Sequence, residues 1–128
     1  MSRSYLKVDG VPGDVRDPNL FGFITVTSLS WPEPRNGSGG GGGAGRFTTD
    51  RLSTTVPAGP HAHVLYVKCA AGEHIRQAEL RMFKERGQFV AARMSDILVD
   101  SCTSLADGQA NVVFTFANVT FSQGTMAR

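Results

Sequence analysis

Proline stops at residue 60. All six prolines of the chain fall at or before that position, at residues 12, 18, 32, 34, 57 and 60. Proline brings no backbone N–H to a ladder, so it is confined to turns, strand starts and sheet edges. The second half of the chain is therefore suited to uninterrupted strand pairing, and its side-chain pattern fits that role. Ala78, Leu80 and Met82 alternate with Gln77, Glu79 and Arg81, which predicts a strand over His74 to Lys84. Glu85-Arg86-Gly87 reads as a tight turn into a strand from Phe89 to Val99, and Asp107-Gly108 as the next hairpin turn. The last strand, Asn111 to Phe121, sets Phe114 and Phe116 against Val113, Ala117, Val119 and Phe121. A strand apolar on both faces is expected to be central or buried at a subunit contact.

One segment in this β-rich half breaks the pattern. Pro60 suits a first helical position. Ala62, Leu65 and Cys69 then recur at helical spacing, flanked by Val64 and Ala71, and Gly72 is placed for a left-handed cap. The spacing predicts a short helix ending at Gly72. Before it, Ser4 to Asp9, Phe21 to Trp31 and Arg46 to Val56 read as strands. Val11-Pro12-Gly13-Asp14 and Asp17-Pro18-Asn19 read as turns. About seven strands and one helix, with turns at short spacing, predict a mainly β fold, a small barrel or sandwich with the one helix plugging or covering an end.

Seven of the fifteen glycines lie between residues 35 and 45, where no side chain can help build a core. That run is expected to be an exposed, adaptable loop on a single domain spanning 1–128. Phosphate binding is not favoured, because Gly45 leads into Arg46-Phe47-Thr48 and a strand, not Gly-Lys-Ser/Thr and a helix. Nucleic acid is not favoured either: the net charge is +2 and the basic residues are scattered. No segment approaches the ~18 apolar residues of a membrane span. Met1 to Asp14 carries no apolar stretch of the kind a secretory leader has. The expectation is a chain made in the cytoplasm which, if it leaves the cell, is exported by another machine.

Chemistry-bearing residues are sparse. Cys69 and Cys102 are isolated and read as small apolar residues in a reducing compartment, and their spacing leaves pairing open. His61 and His63, two apart, do not share a helix face, so no metal site is expected among His61, His63, Cys69 and His74. Asp96 and Asp100, four apart on a strand, would face the same side but have no partner motif. No cofactor and no catalytic residue is predicted. Cys69 and His74 are taken as packing residues at the helix–strand corner.

Four features occur in an order that carries a resemblance: Tyr5-Leu6-Lys7-Val8-Asp9-Gly10-Val11-Pro12-Gly13; the strand end Leu29-Ser30-Trp31; the loop Gly39-Gly40-Gly41-Gly42-Gly43-Ala44-Gly45 before Arg46; and Cys69-x-x-Gly72-x-His74-x-x-Gln77-Ala78-x-Leu80. Together they cover roughly residues 4 to 85, and the last third fits by strand pattern alone. The chain resembles the type VI secretion tube proteins, the haemolysin-coregulated protein (Hcp) family. It departs from them in its compact turns at Arg86-Gly87 and Asp107-Gly108.

The resemblance implies a small β-barrel of two sheets with one flanking helix, a structural subunit that forms hexameric rings stacked into a hollow tube. A contractile sheath would propel the tube and its tip spike, with effector proteins carried in the lumen. No catalysis, nucleic acid or membrane span belongs to that reading, and Gly39 to Arg46 would serve as an assembly loop. Ring closure would also cover the sheet edges that a many-stranded domain must protect. A tail-tube-like subunit of a phage or another contractile injection particle shares this logic, and neighbouring genes would separate the two. A small-ligand-binding barrel would need a convergent polar cluster, which the sequence does not offer.

Overall fold

The computed structural model describes residues 3–31, 51–84 and 87–125. Its strands are β1 (Arg3–Val8), β2 (Ile24–Val26), β3 (Ser28–Ser30), β4 (Arg51–Val56), β5 (Ile75–Phe83), β6 (Gln88–Ser104) and β7 (Ala110–Thr125). The helix α1 spans Pro60–Ala71 between β4 and β5, and Pro18–Leu20 form a single 3-10 turn. All strand pairings are antiparallel, in the order β2-β1-β5-β6-β7-β4-β3.

That order closes the sheet. Its two edges, β2 and β3, are consecutive in the chain with only Thr27 between them. The sheet must curl until its edges meet, and a mainly β barrel with one helix results. Thr27 makes the join: its N–H donates to Thr55 O at 2.8 Å and its hydroxyl donates to Gln109 Oε1 at 2.6 Å. Each edge strand has three residues, and short edges are a standard protection against edge-to-edge pairing.

The strand expected over Phe21 to Trp31 is therefore two strands serving opposite ends of the sheet. Gly22, at φ 91°, turns the chain just before β2. Gly13 sits beneath it, where a Cβ would come within 2.3 Å of the Gly22 carbonyl and Phe23 O, so only glycine fits. Asp14 Oδ1 accepts from Thr25 N–H at 2.7 Å and ties this connection to β2. Of the strand expected over Arg46 to Val56, residues 51–56 are β4 and the remainder lies outside the described residues.

The two long strands are kinked. On β6, Ala92 and Met94 are buried before residue 96, and Ile97 and Val99 after it. The inward face changes from even to odd positions. Asp96 sits at the switch with φ 59°, a left-handed conformation uncommon outside glycine. β5 switches opposite it, between Ile75 and Ala78, and β7 between Phe116 and Val119. A second irregularity shifts the register between Val99 and Ser101. Asp96 and Asp100 are both exposed, on either side of the inward Ile97 and Val99. Such kinks let one long hairpin bend around a single core. That core joins Leu6, Ile24, Leu52, Val56, Leu80, Ile97 and Val112 to Leu65 of the helix.

Candidate assembly surface

The residues expected to carry assembly, Gly39 to Gly43, Ala44, Gly45 and Arg46, lie outside the described residues. Among the described residues, no three His, Cys, Asp or Glu side chains are grouped to hold a metal ion. The histidines also exchange their expected roles. His61 is the buried one: its Nε2–H donates to Pro57 O at 2.7 Å, and a Cβ on Gly59 would meet its ring at 2.7 Å. His74 is exposed, with Nδ1 3.1 Å from Asp96 Oδ1 at the β6 kink. It is not a packing residue. Helical spacing could have revealed His61, because it lies four residues before Leu65 on the buried stripe.

α1 is secured at its carboxyl end as its sequence predicts. Gly72 adopts φ 64°, its N–H donates to Cys69 O at 3.2 Å, and Glu73 N–H donates to Lys68 O at 3.1 Å. These bonds satisfy carbonyls the last helical turn would otherwise leave open. The inward side presents His61 and Leu65, flanked by Lys68 and Cys69, and packs on β6.

The outward side is unusual. Helical spacing puts His63, Tyr66, Val67 and Ala70 on one exposed stripe. Tyr66 is 58% and Val67 51% exposed. The only Lys, Arg, Asp or Glu in α1 is Lys68, and its side chain is 14% exposed and paired with Glu73 at 3.1 Å. A helix facing water normally carries charge on that side. Beyond the amino end of α1, Pro60 and His61 line a surface hollow of about 550 Å³ with Pro12 to Arg16 and Phe21. Phe21, at the lip, is 73% exposed. The exposed aromatic and aliphatic side chains of the helix stripe are of the kind that marks interaction sites on protein surfaces.

The outer face of β1, β5, β6 and β7 has the opposite character. Lys7, Glu79, Arg93 and Thr120 stand directly opposite one another across the four strands. With Asp9, Gln77, Ser95 and Asn118 they line an open groove of about 430 Å³. Glu79 accepts from Arg81 Nε at 2.6 Å and lies 3.6 Å from Arg93 Nε. Arg81 in turn sits over the rings of Phe23 and Phe89, at 5.0 and 4.9 Å. Glu79 is thus shared by two arginines, of which Arg93 is open to water.

A family model described as "Type VI secretion system effector, Hcp" matches residues 5–123. No curated protein matches the sequence. Among solved structures, the chain is similar to Hcp1 from Salmonella typhimurium, at 21% identity and TM-score 0.70, covering 97% of this chain and 94% of that one. A type VI secretion system effector from Yersinia pestis is 16% identical at TM-score 0.70, with 96% and 99% covered. The secreted protein Hcp3 from Pseudomonas aeruginosa is 11% identical at TM-score 0.70 over 100% of both chains. These likenesses show a shared fold.

Proposed function

This chain belongs to the Hcp family of type VI secretion tube proteins, and we propose that it closes into a hexameric ring through the exposed face of α1. The observation that carries the proposal is the uncharged, exposed stripe His63, Tyr66, Val67 and Ala70. Depletion of charge with retention of aromatic side chains characterises the buried centre of an interface. In this reading assembly acts through side-chain packing of the helix face.

Rings of this kind would stack into the inner tube, with the single domain expected over 1–128 as the repeating unit. Gly39 to Arg46 would supply pliable contacts between rings. A contractile sheath would drive the tube and its tip spike outward, with effector proteins in the lumen. The role is mechanical, and no reaction is assigned to any residue. Among the described residues, no helix is long and apolar enough to cross a membrane.

The test is particle size. Wild-type protein at high concentration should give ring particles by negative-stain imaging. Tyr66→Glu combined with Val67→Glu should remain folded by circular dichroism yet run as a monomer. A double variant forming the same rings as wild type would remove the helix face from the interface.

A further inference from the structure

The register shift between Val99 and Ser101 on β6 has a consequence for Cys102. Ile97 and Val99 point inward; without the shift, Ser101 would be next and Cys102 would face out. The extra residue turns Cys102 inward instead, directly opposite the buried Val112. Val112 is in turn opposite the buried Thr54 of β4. Directly opposed residues share a face, so Cys102 lies on the inner side of the barrel wall, half-buried against the core.

The helix supplies the other thiol. β5 begins at Ile75, opposite Ile97, so it does not extend along β6 past that point. α1, immediately before β5 in the chain, packs on β6. Cys69 flanks the buried stripe of His61 and Leu65 one turn before the Gly72 cap and contacts the same core. Cys69 and Cys102 are both free, half-buried cysteines.

We propose that Cys69 and Cys102 form an intramolecular disulfide when the protein meets a low-molecular-weight disulfide such as oxidised glutathione, pinning the carboxyl end of α1 to β6. The Cys69 thiolate attacks glutathione disulfide, forming a mixed disulfide and releasing one glutathione thiolate. The Cys102 thiolate then attacks the Cys69 sulfur and displaces the second. The two protein thiols together lose two protons and two electrons, and one glutathione disulfide becomes two thiols. Burial and the neighbouring Cys69 thiolate push the Cys102 thiol pKa up. A raised Cys102 thiol suits the resolving step, and the reaction quickens as pH rises. A secreted protein passes from reducing to oxidising surroundings, so the bond would form on delivery. That timing rests on the proposed function, but the bond itself does not.

Purified full-length protein is treated with oxidised glutathione, its free thiols are titrated after denaturation, and its peptides are mapped by mass. The expected result is loss of both thiols, one Cys69–Cys102 cross-linked peptide within a single chain, and a Tm raised by roughly 10 °C that dithiothreitol reverses. Cys102→Ala should instead retain glutathione on Cys69 with no rise in Tm. If that variant fails to fold, the wild-type peptide map decides alone. Two titratable thiols after treatment, stable glutathione adducts on the wild type, or a bond between two chains would each overturn the proposal. Ring imaging of the same sample reports on assembly separately.

Discussion

The outer face of α1 and the outer face of β1-β5-β6-β7 are both open to water, yet they are built differently. On the sheet, charges stand in a row across the strands, with Glu79 between Lys7 and Arg93. On the helix, the only charge is turned aside onto Glu73, and Tyr66 and Val67 stand clear. A solvated face favours charge because burying a charge is expensive; a face that will be buried favours its absence. The contrast supports the proposed use of the helix stripe, and not the sheet row, as the subunit contact.

The largest expected stability effect comes from the inner side of the same helix. Leu65 is fully buried between α1 and the barrel, so Leu65→Ala should cost about 2–5 kcal/mol in urea unfolding. A much smaller loss would mean that α1 rests loosely on the core and that neither of its faces is fixed. Next is Gly72→Ala, which places a Cβ at φ 64°. It should cost about 1 kcal/mol, checked by the shift in Tm. Glu79→Gln removes a carboxylate whose side chain is 21% exposed and shared by two arginines. A loss of about 0.5–1.5 kcal/mol is expected, with ring formation unchanged. Loss of rings in this variant would move the interface to the sheet.

The smallest effect concerns the β6–β7 turn. Asp107 accepts from Gln109 N–H at 3.0 Å and from Gln109 Nε2 at 2.8 Å, and these bonds lower its pKa, the backbone one most. A depressed carboxylate contributes stability that is complete above its unfolded pKa and is lost as pH falls through the lowered folded value. Asp107→Ala should therefore flatten the acid limb of the stability profile slightly and leave neutral pH and assembly unaffected. An unchanged acid limb would show that the turn does not depend on this carboxylate.

How much of this could be read in advance depended on how local each cause is. The helix and its cap were legible because Pro60, Ala62, Leu65 and Gly72 act within a dozen residues. So were the hairpins at Gly87 and Gly108, both at positive φ. The division of Phe21 to Trp31 at Thr27 was not, because its cause is a hydrogen bond to Thr55, across the barrel wall. The change of face at Asp96 was hidden for the same reason: three strands change phase together, and no single one announces it. The helix stripe is a different case. Its lack of charge is visible in the sequence, but periodicity directs attention to the apolar face that packs, not to the second face left without charge.

The most direct test of the central claim is negative-stain imaging of two samples at equal high concentration, wild type and the Tyr66→Glu/Val67→Glu variant. Both substitutions are at exposed positions, so each should change monomer stability by no more than about 0.5 kcal/mol. The account predicts rings for the wild type and folded monomers for the variant. Indistinguishable rings in both samples, or a wild type that stays monomeric, would contradict it.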